Sequence, residues 1–305
     1  RGANGEIERS WDRQSPEGVA AEAIINCLEN LQYKPAPKIP APKKTESELL
    51  TLYTLTDFHL GMYAYGEETG DDWDTDIASA VMVNAISDMV AKSPASEVGI
   101  LNLQGDFLHW DGLDAVTPQN RHVLDADTRF DRMIELSLDL TMLAVDMLLK
   151  KHKTVRLIVC EGNHDLASSG WIRKAMKKIF RLNKRVEVDD TSFPYYAYLH
   201  GETMLGFHHG HKMKNKSLPA LFASEPRYRE MWGKANYTYI HTGHYHQTEQ
   251  DMAEMGGAIV ERHPTLAARD AYAARGGYVS RRGARAITYD KKAGEVERVT
   301  VLPRS

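Results

Sequence analysis

Five short segments of this 305-residue chain carry side chains able to bind metal ions. They are Asp57-Phe58-His59, Gly105-Asp106, Gly162-Asn163-His164-Asp165, His208-His209-Gly210-His211 and Gly243-His244-Tyr245-His246. Carboxylate, imidazole and amide oxygen together suit borderline and harder divalent ions, and the lack of thiolates here disfavours a cysteine-rich zinc or iron–sulfur site. Residues two apart in extended chain point the same way, so Asp57 with His59, and His244 with His246, can each present two ligands to one locus. Glycine before Asp106, Asn163 and His244 permits the sharp turn that a ligand at a strand end needs. The candidate ligands outnumber the three protein ligands of a mononuclear catalytic zinc site. They fit two metals about 3.5–4 Å apart that share one carboxylate. Taken singly, each fragment is weak: Gly-Asn-His-Asp is also turn chemistry, and Gly-His-x-His could be two surface histidines. All five in this order, each after a strand-like run, point to a dinuclear centre.

The elements that must hold these segments are mostly strands. The apolar run 49–56 reads as a strand buried on both faces, and 98–103, 155–160, 185–188, 195–199, 204–208 and 237–241 read as further strands. Residues 77–91 pattern as an amphipathic helix and 127–151 as a long helix covered on more than one side. Helices are also predicted over 171–180 and 218–232, and the tail alternates short strands with turns. Strands alternating with helices, then mostly strands, predict a layered α/β fold with a mixed central sheet. The metal-capable segments then fall at the C-terminal ends of strands, where open α/β sheets place their sites.

Composition narrows the classes. Hydrophobic residues are 42% and charged residues 26%, which is ordinary for a globular protein. A net charge of −4 argues against a wholly basic nucleic-acid surface and leaves room for a local patch. Two cysteines, Cys27 and Cys160, cannot build a disulfide framework, so a reducing, cytoplasmic location is expected. The most apolar stretch, 133–149, carries Glu135, Asp139 and Asp146 and reads as a buried helix, so no membrane association is expected. No basic region followed by an apolar run marks a signal peptide. Residues 1–34 hold one short helix, 17–31, and are read as the remnant of an upstream domain. Four of the twelve prolines fall within 35–44, so 35–46 reads as a semi-rigid linker and 47–305 as the main domain.

Asp57-x-His59, Gly105-Asp106, Gly162-Asn163-His164-Asp165, His209-Gly210 and Gly243-His244-x-His246 resemble the full signature of the calcineurin-like metallophosphoesterases, over roughly residues 50–250. The resemblance implies a four-layer α/β/β/α metallophosphoesterase sandwich with mixed sheets. It implies that Asp57, His59 and His246 hold one metal, that Asn163, His209 and His244 hold the other, and that Asp106 bridges them. His164 is then the non-ligand histidine at the leaving group, with Asp165 as its orienter. The run from Leu55 to Gly61 resembles the opening motif of the SbcD-type double-strand-break repair nucleases. Gly105-Asp106-Phe107-Leu108-His109 resembles a second motif of those nucleases, in which the final histidine supports catalysis. His109 reads equally as a hydrogen-bonded support and as a directly catalytic group. Segments 67–74 and 109–114 resemble insertions of phage- and prophage-encoded members.

The family likeness implies phosphodiester hydrolysis by a metal-bridging hydroxide, with both metals polarising the phosphoryl oxygen and His164 supplying a proton to the departing oxygen. Two divalent ions are expected, Mn²⁺ by preference, with Fe, Zn or Mg also accepted by mixed N/O ligands. DNA is the expected substrate, making the chain a DNA nuclease. The alternative is a small-molecule phosphodiesterase or phosphatase acting on nucleotides or cyclic nucleotides. A binding module dominated by an upstream domain is the third reading, and the intact ligand set counts against it. An oligomer is compatible with the sequence. Arg262, Arg269, Arg275, Arg281, Arg282 and Arg285, with Tyr272 and Tyr278 between them, read either as a phosphate-binding run with stacking platforms or as a solvated loop. The acidic run 67–76 reads as a solvated loop or as a lid repelling extended polyanions.

Overall fold

The computed structural model describes residues 39–245 and 252–303. Strands β1 (Glu46–Leu55), β2 (Ser96–Leu103), β3 (Thr154–Val159) and β4 (Val186–Val188) pair in parallel. With the antiparallel β10 (Ala284–Asp290) and β11 (Gly294–Val301) they make a six-stranded sheet, ordered β11-β10-β1-β2-β3-β4. The second sheet has five strands, β5 (Tyr196–His200), β6 (Thr203–Phe207), β7 (Tyr237–Thr242), β8 (Met252–Met255) and β9 (Ala258–Arg262), ordered β5-β6-β7-β9-β8. Both sheets are mixed.

The strands are apolar on both sides because both sides are covered. Leu50 and Leu52 of β1, Ile100 of β2 and Ile158 of β3 meet Leu205, Phe207 and Tyr239 between the sheets. The alternate residues Tyr53, Leu55, Leu101, Leu103 and Val159 face the other way, into a core shared with the helices. After the turn α1 (Gly66–Thr69), those helices are α2 (Thr75–Lys92), α3 (Phe130–Lys151) and α4 (Leu166–Ile179). On the far side of the second sheet, Met204 and Ile240 pack with Leu218 and Phe222 of α5 (Leu218–Ser224), close to α6 (Arg229–Lys234). The result is a four-layer α/β/β/α sandwich with two mixed sheets.

Helix boundaries agree with the sequence expectation to within three residues except in two places. The single helix expected over 218–232 is two, because Glu225 is extended ahead of Pro226. The helix expected from 171 starts at Leu166, because Asp111 caps it from a distant loop. The Asp111 carboxylate accepts from Ala167 N (2.6 Å) and Ser168 N (2.9 Å). Residues 39–45 have no regular structure, and Ile39 is fixed by its carbonyl, which accepts from Arg185 at 2.6 Å. The helix expected at 17–31, residues 35–38 of the proline segment and Cys27 lie outside the described residues. No helix among the described residues is long and apolar enough to cross a membrane.

Candidate metal centre

The loops after β1 and β2 run on side by side past the end of the sheet. Asp57 N donates to Gly105 O (3.1 Å), His59 N to Asp106 O (3.0 Å) and Leu60 N to Phe107 O (2.9 Å). Phe58 and Phe107 stack at 5.4 Å within the helix-side core and anchor the two loops. Asp57, His59 and Asp106 take φ values of 49°, 48° and 49°, and His244 takes 70°. Positive φ is uncommon outside glycine and marks backbone held by its surroundings, often at a functional site. This corrects the expectation of extended backbone. Asp57 and His59 share a side because left-handed residues flank an inward-pointing Phe58.

Of the three glycines, Gly105 alone has positive φ, 95°. Gly162 instead leaves space: a Cβ there would lie 2.0 Å from Asp106 Oδ1 and 2.2 Å from Asp106 N. Gly162→Ala is expected to displace the Asp106 carboxylate, destabilising the protein by about 1–3 kcal/mol. A misplacement near 1 Å should lower turnover by about 100-fold. Thermal denaturation with steady-state kinetics checks this, and a variant unchanged in both shows that the contact is not needed.

Asp106 is shared by two groups of side chains. Asp57, His59 and Asp106 form one, and Asp106, His209 and His244 the other; in each, the potential ligand atoms lie within 4.8 Å of one another. His209 Nδ1 donates to Gln104 O at 2.9 Å, which leaves the Nε2 lone pair facing inward. Nε2 lies 3.1 Å from Asp106 Oδ2 without hydrogen-bond alignment, and Asn163 Oδ1 is likewise buried and unpartnered. Such orphaned acceptors are rare; a divalent cation satisfies both. Burial alone would lower the His209 pKa, but Asp106 and Asp57 beside it raise it to about 10. The carboxylates thus demand positive charge at this spot, and a cation can supply it in place of the proton. The residues present fit a divalent-metal site. His246, the seventh expected ligand, lies outside the described residues.

The neighbouring histidines sort themselves by contact. His208 accepts from Gly210 N at 3.0 Å and stacks on Tyr195 at 4.5 Å, leaving His209 as the member of the run beside Asp106. The backbone N of His164 donates to Asp106 Oδ1 (2.8 Å), and its Nδ1 donates to the carbonyl of His109 (2.7 Å). Nε2 is then the nitrogen of His164 left for a substrate. The His109 ring is buried, with Nδ1 3.3 Å from His59 Nδ1. Of its two readings, geometry supports positioning: His109 holds His164 through its carbonyl and His59 through its ring. Asp165 is a correction. Its carboxylate accepts from Phe107 N (2.8 Å), Leu108 N (3.2 Å) and Gly162 N (2.8 Å), not from the His164 ring. It ties the Asp106 loop to the Asn163 loop and orients no imidazole.

A cavity of about 950 Å³ opens over these residues. His59, Asp106, Asn163, His164 and His244 line it, and so do Asp71, Arg269, Tyr272, Tyr278 and Arg282. The arginine run and the acidic run, read separately from sequence, are partners here. Arg282 pairs with Asp71 at 3.1 Å and Arg275 with Glu68 at 2.9 Å, while Arg269 donates twice to the carbonyl of Thr69. Arg285 is committed elsewhere, to Glu261 at 2.7 Å.

Sequence reasoning missed a second buried cluster, His241, Glu261 and His263, whose potential ligand atoms also lie within 4.8 Å. It is an ion-pair network, because both carboxylate oxygens of Glu261 already accept from Arg298, with Arg285 alongside. Its sequence signal was a polar or charged residue inside the otherwise apolar runs of β7 and β9, His241 and Glu261, with His263 just beyond. Burial alone would raise the Glu261 pKa, but His263 and Arg298 hold it at about 2, below the usual 4.5. With the folded value depressed, this group stabilises fully above about pH 4.5 and loses its contribution as pH falls toward 2. Urea midpoints should fall across that window, and Glu261→Gln should flatten the fall. An equally steep acid limb in the variant would show that Glu261 does not set it.

No family model and no curated protein sequence matches the chain. Among solved structures it is similar to a predicted phosphoesterase of Streptococcus pneumoniae, with 11% identity, 84% of this chain and 100% of that one covered, and a TM-score of 0.32. It is also similar to an archaeal phosphodiesterase, with 13% identity, 82% and 99% covered, and a TM-score of 0.39. A putative 5′-nucleotidase from Staphylococcus aureus has 11% identity, 84% and 55% covered, and a TM-score of 0.37.

Proposed function

We propose that the chain is a calcineurin-like metallophosphoesterase that uses two divalent ions, Mn²⁺ by preference, to hydrolyse a compact phosphodiester. The observation that carries the chemistry is Asp106, one carboxylate common to two ligand groups beneath an open cavity. Bound there, two cations supply a water deprotonated near neutral pH and charge against the phosphoryl oxygens. The chain's own residues do the rest. Gln104 O and the ring of His109 orient His209 and His59. The carbonyl of His109 fixes the Nδ1 proton of His164, so that Nε2, when protonated, gives its proton to the leaving oxygen.

Charge favours a compact diester over DNA. A polynucleotide needs cationic contacts beyond the scissile phosphate, and Arg282, Arg275 and Arg269 are already engaged by Asp71, Glu68 and the Thr69 carbonyl. A Mn²⁺ activity panel of single- and double-stranded DNA, cyclic nucleotides and a nitrophenyl diester should show turnover of the small diesters and little of DNA. Glu68→Ala with Asp71→Ala should release two arginines and strengthen duplex binding, steepening the salt slope by about 0.9 for each phosphate newly contacted. DNA cleavage outrunning diester hydrolysis in the unsubstituted protein would restore the DNA nuclease reading.

A further inference from the structure

Tyr272 and Tyr278 line the same cavity as His59, Asp106 and His164, yet their rings are not consumed by packing: they are 73% and 41% exposed. The ring centroids lie 6.5 Å apart with planes inclined by 34°. The loop that carries them is tied down. Asp270 caps α7 (Ala271–Arg275) by accepting from Ala273 N at 2.7 Å, and Arg269 reaches from Thr69 O to Tyr278 O at 3.4 Å. Gly276 leaves room for the Tyr278 ring, since a Cβ there would lie 2.5 Å from Cε2. Two accessible aromatic faces on an anchored backbone therefore line the cavity that the candidate metal ligands also line, and a tyrosine, with only two side-chain torsions, has little freedom to lose on binding. The cavity, about 950 Å³, is within the roughly 300–1,000 Å³ of small-molecule sites.

We infer that Tyr272 and Tyr278 form a stacking wall for a flat aromatic ring carried by the phosphoester, as a nucleobase is carried by a nucleotide. This rests on the proposed phosphoesterase reading and adds the substrate class. Arg269 and Arg282 are locally engaged, so recognition at the wall is by ring contact and depends little on salt.

The test separates the two readings by measuring binding without hydrolysis. Adenosine, phenyl riboside and methyl riboside, none of them a phosphoester, are titrated calorimetrically into the full chain at low and high salt. Adenosine should bind at both salt concentrations and methyl riboside should not. Phenyl riboside matching adenosine assigns any flat aryl ring; adenosine alone assigns a nucleobase. Tyr272→Leu and Tyr278→Leu keep bulk but lose the aromatic face, and one or both should weaken adenosine by roughly 5- to 150-fold, the range of lost base stacking. Tyr272→Trp should retain it. In parallel, kcat/KM for a nucleoside nitrophenyl diester relative to a methyl nitrophenyl diester should fall in the leucine variants. Equal binding of adenosine and methyl riboside, or both leucine variants within twofold of the parent, overturns the wall. Ring binding without hydrolysis under any metal overturns the phosphoesterase reading and leaves the wall standing.

Discussion

Asp106→Asn is expected to abolish hydrolysis while the fold persists. The carboxylate is buried at the centre of the site, its Oδ1 accepting from His164 N and its Oδ2 facing His209 Nε2. An asparagine can keep both contacts, its oxygen on His164 N and its amide on the His209 lone pair, and it adds no bulk against Gly162. What it loses is the charge that both ligand groups share. Turnover should fall by at least about 10³-fold, beyond the cost of removing one preorganised electrostatic contact. Metal content by mass spectrometry should fall below two per chain, and the metal-free variant should still unfold cooperatively, because the sheet core does not depend on this carboxylate. Two tightly held metals with near-parental turnover would sink the bridging role.

His164→Ala should lower turnover by about 10²–10⁴-fold with the metals still bound. The separation is structural: the contact from residue 164 to Asp106 comes from backbone N, which alanine keeps, whereas the proton-bearing imidazole is lost. The loss should be largest for alkyl leaving groups and should shrink for nitrophenolate, which departs without a proton. Equal losses on both substrates would remove the general-acid role, and a loss of metal would make His164 a ligand.

His109 shows how far sequence reading went. Its nearness to Asp106 and its type marked it, but whether it supports or reacts depended on where its ring and carbonyl point. That direction is set by the backbone bond of His109 N to Leu60 O, made by a chain segment nearly fifty residues away. Asp165 misled for the same reason. Adjacent to His164 in the chain, it serves backbone donors of the 107–108 turn that are near only after folding.

What the amino-acid sequence determined by itself was the layered α/β class and the placing of metal-capable residues at strand ends. Strands buried on both faces must be apolar at nearly every position, and a polar, glycine-marked segment after such a run has nowhere to go but the sheet's edge. Gly105, Asp106, Asn163 and His244 were legible on that local pattern. Only the tertiary structure decided the left-handed backbone at Asp57 and His59, the union of the acidic and arginine runs, and the burial of Glu261 among arginines. Pairs such as Asp71 with Arg282 are more than two hundred residues apart. Their attraction acts through space and leaves no periodicity in the chain, so it could be read only once the two loops stood over the same cavity.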